Sequence, residues 1–311
     1  MVHQTPLTIA TIDIGSNAIR LYVGQRSRSG QVRVLKDQRT SIRLGQDAFT
    51  GGYIRLATQT ELISALNEFR KTCKRLNVSH IRAVGTSALR DSANSEKVLS
   101  HIKQRTGIDI KLIDGLREAR LLHKAVGSVI DLSQKPAMLL DLGGGSLEVV
   151  LSRRSKIASL HSLPLGTVRL LAKNRDRIER REYEDFAQWV RTPLYRLRMK
   201  ILGTRQTTVP ILVGTGGNLR ALGKLSYRMG LSRTRNRFHR SHLEVICQAL
   251  FRLNMNQRMK HFQLRKDRAD VILPACVVVL EFMRIFEVSE IVVPNVGLKN
   301  GVFLAAMERS R

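Results

Sequence analysis

The chain has 311 residues, enough for two domains, and 43% of them are apolar, enough for sizeable cores. A formal charge of +28 draws polyanions such as polyphosphate, nucleic acid or an anionic membrane surface, without choosing among them. Three scattered cysteines, Cys73, Cys247 and Cys276, exclude a disulfide framework and a zinc spacing, so a reduced cytoplasmic protein is the simplest inference; there is no signal-peptide pattern and no apolar run long enough to span a bilayer.

Leu7–Asp13, Leu21–Gln25 and Gln31–Gln38 read as strands joined by the turns Gly15-Ser16-Asn17 and Ser29-Gly30. Ala57–Leu76 has helical periodicity, with Leu62, Ala65, Leu66 and Phe69 on one face. The short strand Ile81–Val84 runs through Gly85-Thr86-Ser87 into a helix carrying Arg90. A strand, a small polar turn and a helix start make an anion site, and a plain surface arginine is the alternative. Ile108–Ile113 is a strand, and Asp114-Gly115 opens a helix through Glu118, Ala119, Leu122 and Val126. Met138–Asp141, Leu147–Leu151 and Ile157–Leu163 are the next strands, and Leu163–Leu170 closes that sheet and turns into helix. Glu179–Lys200 reads as a long basic helix around Tyr183, Phe186, Trp189 and Val190. Val209–Val213 leads into the loop Gly214-Thr215-Gly216-Gly217-Asn218 and another helix. Tyr227–Arg240 is rich in Arg, and Ser241 is placed to cap a helix through Leu250. Arg268–Phe286 reads as one buried helix, Glu290–Val293 as a last strand and Leu298–Met307 as a terminal helix.

The chain is organised around Leu139–Leu151, an apolar strand, the turn Gly143-Gly144-Gly145-Ser146, and a second apolar strand. Consecutive glycines let a ligand approach the backbone amides, which form a concave nest for anions. Asp141 and Glu148 flank that turn and can hold the Mg²⁺ that accompanies phosphate. A ligand-free hairpin is the bland reading. The N-terminal stretch Thr11–Val23 repeats the pattern, with Asp13 before Gly15, Ser16 and Asn17. Strands alternating with helices argue α/β, and the duplicated order fits two ribonuclease-H-like domains with a cleft between them, as in the actin-like ATPase superfamily. The expected division is 1–127, completed by 298–311, and 128–297.

With these residues in view, the chain resembles the exopolyphosphatase / guanosine pentaphosphate phosphohydrolase (Ppx/GppA) family nearly end to end. The resemblance rests on the joint order of Asp13-Ile-Gly-Ser-Asn, Gly85-Thr-Ser-Ala-Leu-Arg90, Ile113-Asp-Gly-Leu-Arg-Glu-Ala-Arg120, Asp141-Leu-Gly-Gly-Gly-Ser146 with Glu148, Leu165-Gly-Thr-Val-Arg-Leu170, Gly214-Thr-Gly-Gly217, Arg268-Ala-Asp-Val-Ile-Leu-Pro274 and Gly297-Leu-Lys-Asn-Gly301. It implies Mg²⁺- (or Mn²⁺-) dependent removal of terminal phosphate from polyphosphate or from the 5′ end of pppGpp. It implies Glu118 as the catalytic residue, and Asp141 and Glu148 as metal-associated carboxylates. Asp13 would hold metal-bound water or fix its loop. Ser16, Asn17, Arg90, Gly143, Gly144, Gly145, Ser146, Gly214, Thr215, Gly216 and Gly217 would contact phosphate. Where the family has two adjacent Glu residues, this chain has Arg117-Glu118. Asp114 is a candidate N-cap, and position 117 is where a capping box takes Glu, so the substitution is read as the loss of a cap partner. The counter-reading pairs Arg117 with Glu118.

An exopolyphosphatase is the favoured reading, because a charge of +28 suits a polymer. Arg169, Arg191, Arg196, Arg198, Arg233, Arg235, Arg237 and Arg240 are expected to form a basic track for it. A pppGpp phosphohydrolase with the same residues, and a weakly catalytic binder of (p)ppGpp or nucleic acid, are the alternatives. A homodimer is left open.

Overall fold

The computed structural model describes residues 7–26, 32–180, 183–203 and 211–308, without the side chains of Arg26 and of residues 175–180. The expected turn at Ser29-Gly30, the strand starts at Gln31 and Val209, and residues 181–182 of the expected long helix lie outside the described residues. Two compact units divide the chain: Met1–Leu121 with Leu298–Arg311, and Leu122–Gly297.

The first unit begins with strands β1 (Thr8–Ile14), β2 (Ile19–Arg26) and β3 (Val32–Thr40), followed by helices α1 (Leu44–Thr50) and α2 (Leu56–Arg75). Strand β4 (His80–Gly85), helices α3 (Ser87–Arg90) and α4 (Ser95–Thr106), strand β5 (Ile110–Leu112) and helix α5 (Gly115–Gly127) come next. The sheet order is β3-β2-β1-β4-β5, antiparallel across the first three strands and parallel after β1. In β1 every residue but Asp13 is buried, as expected of a central strand covered on both faces. Leu62, Leu66, Phe69 and Cys73 bury one stripe of α2. The terminal helix Leu298–Glu308 completes this unit. Its Phe303 meets Tyr22 edge-on, ring centroids 5.2 Å apart, and covers Gly24, where a Cβ would lie 2.5 Å from the Phe303 ring. Gly301 presses on the Leu121 carbonyl, Lys299 pairs with Asp37, and Thr11 Oγ1 donates to the Lys299 carbonyl at 3.2 Å.

The second unit repeats the order: β6 (Ala137–Leu142), β7 (Leu147–Arg153), β8 (Lys156–Leu163), α6 (Thr167–Arg180), α7 (Tyr183–Leu202), β9 (Ile211–Thr215) and α8 (Gly216–Arg228). After these come β10 (Arg237–His239), α9 (Arg240–Arg252), α10 (Met255–His261), α11 (Lys266–Ala269), α12 (Ile272–Ile285) and β11 (Glu290–Val292), and the terminal helix of the first unit is then α13. The second sheet runs β10-β11-β9-β6-β7-β8, so β8-β7-β6-β9-β11 matches β3-β2-β1-β4-β5 strand for strand. This is a ribonuclease-H-like core made twice, the actin-like ATPase architecture.

Every residue of α12 except Arg284 is buried, including Glu281. Burial pushes the Glu281 carboxyl up. Hydrogen bonds from Arg191 (2.7 Å) and Tyr183 (2.5 Å), with the charges of Arg191 and Arg284, outweigh it and hold the carboxyl below the usual glutamate range.

Several elements differ from the sequence expectations for physical reasons. The buried stretch 268–286 is two helices, because the Pro274 ring cannot sit against a helical carbonyl at Asp270, so the helix restarts at Ile272 with proline in its first turn. The Arg-rich segment contains a strand, β10, paired with β11. That pairing holds His239 extended, so His239 rather than Ser241 occupies the cap of α9. The helix after Gly85 is a single turn. Its chain is drawn away where Ala93 donates to the Gly52 carbonyl at 2.8 Å.

Candidate functional site

In the first unit, Asp13 is the last residue but one of β1 and stands opposite Arg20 in β2. The four-residue loop from Gly15 to Ala18 is closed by the Gly15 amide donating to the Ala18 carbonyl at 3.2 Å. The Ser16 carbonyl accepts from the Gly45 amide at 2.8 Å, and α1 approaches so closely that a Cβ on Gly45 would lie 2.8 Å from that of Ser16. Ser16 and Ser87 share a hydroxyl–hydroxyl bond of 3.0 Å, and the Thr86 amide donates to the Ile14 carbonyl at 3.2 Å. These bonds pin the Ser16-Asn17 loop against the end of β4.

Glu118 lies in the first turn of α5, where the helix dipole favours a carboxylate. Asp114 caps that helix: its Oδ1 accepts from the Arg117 amide at 2.6 Å, and its carbonyl accepts from the Glu118 amide at 2.9 Å. Arg117 is exposed, whereas Glu118 is only 8% exposed. Arg90 Nη1 donates both to Glu118 Oε1 at 3.2 Å and to the Ile113 carbonyl at 2.5 Å, and its Nε lies 3.4 Å from Asp91 Oδ1. Arg90 is thus tied to Glu118 and the chain before α5, which the sequence does not foretell. The helix that carries Arg90 is a single turn, and Arg90, expected at an anion site, makes this ion pair with Glu118.

In the second unit, Asp141 and Glu148 are direct cross-strand partners on β6 and β7, so both carboxylates leave the same face of the hairpin. Glu148 is 2% exposed and accepts from Ser162 Oγ at 2.9 Å. The loop between the strands is again four residues, closed by the Gly143 amide donating to the Ser146 carbonyl at 3.0 Å. That bond takes one amide of the expected nest. Among the described residues, the amides of Gly144 and Gly145 donate to no protein group.

The carbonyls of the same loop are fully used. Gly143 O accepts from the Thr167 amide, Gly144 O from the Val168 and Arg169 amides at 2.8 and 3.0 Å, and Gly145 O from Arg169 Nε at 2.7 Å. Gly166 lies so close that a Cβ there would fall 2.2 Å from the Gly145 carbonyl carbon. The start of α6 therefore fixes the loop. The Gly214–Gly217 turn meets the same hairpin. Thr215 pairs with Asp141 across β9 and β6, and Gly216 has φ +90°, with a Cβ position 2.6 Å from Asp141 Oδ1. Asn218 Nδ2 donates to the Leu142 carbonyl (3.0 Å) and to Thr167 Oγ1 (3.3 Å), while Arg268 donates to Asn218 Oδ1. Gly166, Asn218 and Arg268 are structural members of this site that periodicity could not reveal. Asn218 directly follows the glycines, and Arg268 opens one of the family-like motifs.

The expected basic track is partly neutralised. Arg191 is bound to Glu281 and Glu184, Arg198 to Glu287, and Arg237 to Glu290. Arg235 stacks on Tyr227, 4.9 Å from the ring centre. Arg169 belongs to the glycine loop.

Among the described residues no group of three or more His, Cys, Asp and Glu could hold a metal ion. Two carboxylates on adjacent strands nonetheless fit Mg²⁺, which keeps several waters and takes one or two carboxylates plus phosphate oxygens. Among the described residues no helix is long and apolar enough to cross a membrane.

The model of the Ppx/GppA phosphatase family matches residues 24–310. The chain is similar to Exopolyphosphatase 1 of Mycobacterium tuberculosis, 26% identical over 307 residues, covering 97% of this chain and 89% of that protein. Exopolyphosphatase 2 of the same organism is 28% identical over 295 residues, covering 89% and 90%. Among solved structures, an exopolyphosphatase from Cytophaga hutchinsonii superposes with a TM-score of 0.83 at 22% identity, covering 97% and 98% of the two chains. The Aquifex aeolicus Ppx/GppA family member gives 0.78 at 24% identity, covering 99% of both.

Proposed function

Because the chain belongs to the Ppx/GppA phosphatase family, we propose that it is an exopolyphosphatase that hydrolyses the terminal phosphoanhydride of inorganic polyphosphate. The observation that carries this reading is the β6–β7 hairpin, where two opposed carboxylates flank a four-residue glycine turn. Such a turn suits a phosphate chain and its counter-cation, and it suits little else.

In this reading the Gly144 and Gly145 amides and the Gly214–Gly217 turn cradle phosphate oxygens, and Ser16 and Asn17 would also contact phosphate. Asp141 and Glu148 would hold Mg²⁺ (or Mn²⁺), and Asp13 would fix its loop or a water of the ion's shell. When bound, the ion neutralises charge on the transferring phosphoryl group. Glu118 orients the attacking water and takes its proton. The oxygen of that water bonds to the terminal phosphorus, the bridging P–O bond breaks, and orthophosphate leaves a chain shorter by one unit. Arg90 holds the Glu118 carboxylate in place through its 3.2 Å contact, so its part is positioning as well as phosphate contact. The cytoplasm, where polyphosphate meets Mg²⁺, is the compartment this chemistry suits.

The test is release of orthophosphate by the purified protein from long-chain polyphosphate and from pppGpp, with Mg²⁺ and with excess EDTA. We expect faster release from polyphosphate and none in EDTA. Undiminished release in EDTA would remove the metal from the mechanism, and release from neither substrate would leave a binding protein on an enzyme's fold.

A further inference from the structure

In the second sheet a row of directly opposed residues crosses three strands. Asp141 on β6 stands opposite Glu148 on β7, and Glu148 stands opposite Ser162 on β8. Opposed residues share a face of the sheet, so the two carboxylates and the hydroxyl leave it on one side. Ser162 Oγ donates to Glu148 Oε1 at 2.9 Å. Glu148 is buried, whereas Ser162 is exposed on the edge strand of the sheet. The matching row of the first sheet is Asp13, Arg20 and Arg39. That row sets two cations beside its carboxylate. The second row sets a second carboxylate and a neutral donor there.

The neutrality of that donor has a chemical consequence. A Lys or Arg at position 162 could hold Glu148 as firmly, but its positive charge would compete with a divalent ion for the carboxylate. A hydroxyl fixes the carboxylate and leaves its charge in place. Fixing is needed here, because like charges directly opposed on adjacent strands repel, and a glutamate can relieve the repulsion by turning about its side-chain bonds. Carboxylates that bind metals are commonly held by a hydrogen bond from a neighbour, and such neighbours set the affinity for the ion.

We propose that Ser162 is a positioning residue for the divalent ion: its hydroxyl holds the Glu148 carboxylate beside Asp141, turned to take the ion, and so sets how tightly the ion binds. The proposal rests on the assignment of Asp141 and Glu148 to the metal, and it does not rest on hydrolysis, because ion binding can be measured without substrate.

The test is a titration of the purified protein with Mn²⁺, read by the loss of the paramagnetic resonance signal of the free ion. Ser162→Ala is expected to weaken Mn²⁺ binding roughly 10- to 100-fold, the usual worth of a residue that orients a metal ligand. Because Ser162 is exposed, this variant should melt near the wild-type temperature. Ser162→Thr keeps the hydroxyl and should restore most of the affinity. With polyphosphate, Ser162→Ala should raise the Mg²⁺ concentration for half-maximal orthophosphate release while leaving the rate at saturating Mg²⁺ unchanged. Wild-type Mn²⁺ affinity in Ser162→Ala would overturn the proposal, and so would a Thr variant no better than the Ala variant. Loss of rate at saturating Mg²⁺ with an unaltered Mg²⁺ dependence would also overturn it. If no substrate yields orthophosphate but the Mn²⁺ affinities differ as expected, the hydrolase reading fails and the role of Ser162 stands. If the wild type binds no Mn²⁺, or Asp141→Asn binds it as well as the wild type, the metal assignment fails and takes the role of Ser162 with it.

Discussion

In the first sheet Asp13 stands opposite Arg20, and in the second Asp141 stands opposite Glu148. The two hairpins are otherwise built alike, each with a four-residue loop closed by an amide of its first residue on a carbonyl of its fourth. Directly opposed side chains on antiparallel strands have Cβ atoms about 4.5–5.5 Å apart, where opposite charges stabilise and like charges destabilise. The first hairpin therefore balances its own carboxylate. The second sets two carboxylates opposite each other, and Gly144-Gly145 replaces Ser16-Asn17 at its tip. Under the proposed function, one duplicated framework would be divided between a unit that supplies a base, Glu118, and a unit that binds metal and phosphate.

The largest effect should come from the base. Glu118→Gln is expected to lower polyphosphate turnover roughly 10²–10⁴-fold with little change in polyphosphate binding. A rate near wild type would move water activation to another residue and dissolve the division of labour. The hairpin asymmetry is tested next by Glu148→Gln against Asp13→Asn. We expect the first to raise the Mg²⁺ concentration for half-maximal rate by about 10- to 100-fold or more, and the second to raise it less. Equal shifts would remove the assignment of the ion to the second hairpin.

The glycines that follow the fourth strand of each core sharpen the contrast. Gly216 has φ +90° and faces Asp141 Oδ1, whereas a Cβ on Gly85 would meet the ends of Leu89 and Leu112. Gly216→Ala should therefore cost about 1–3 kcal/mol by thermal unfolding and also weaken Mg²⁺ dependence, while Gly85→Ala should cost less and leave the metal response alone. The smallest effect is expected at position 117. Asp114 already caps the Arg117 amide, so Arg117→Glu should complete the capping box and stabilise by something like 0.5–2 kcal/mol, with turnover within a few fold. A sharp gain in rate would instead show Arg117 restraining Glu118.

Both hairpins are legible in the sequence, because an apolar run, an Asp, a Gly-containing turn and a second apolar run fix strand, turn and strand within about a dozen residues. The opposition of Asp141 to Glu148 follows from the same spacing once the loop is four residues long. What local pattern cannot carry is contact between distant segments. Gly166 under Gly145, Arg268 on Asn218, and Arg90 on Glu118 join residues that are 21, 50 and 28 positions apart. The three residues of β10 are too few to express a period of two, and a run of arginines reads as solvated loop. Arg191 and Arg198 of α7 and Arg237 of β10 spend their charge on Glu281, Glu287 and Glu290, which no count of net charge reveals.

The last helix gives the first unit a particular order of assembly. Thr11 and Lys299 are hydrogen-bonded across 288 positions, and Tyr22 and Gly24 are covered by Phe303. During synthesis the first sheet leaves the ribosome early but cannot bury Tyr22 or Ile9 until residues near 303 have been made. Closure of so long a loop is slow, and exposed strands are the usual route to aggregation meanwhile. The second unit, continuous from Leu122 to Gly297, can be complete before the first. A chain truncated after Gly297 should thus resist protease in its second unit and remain cleavable in its first.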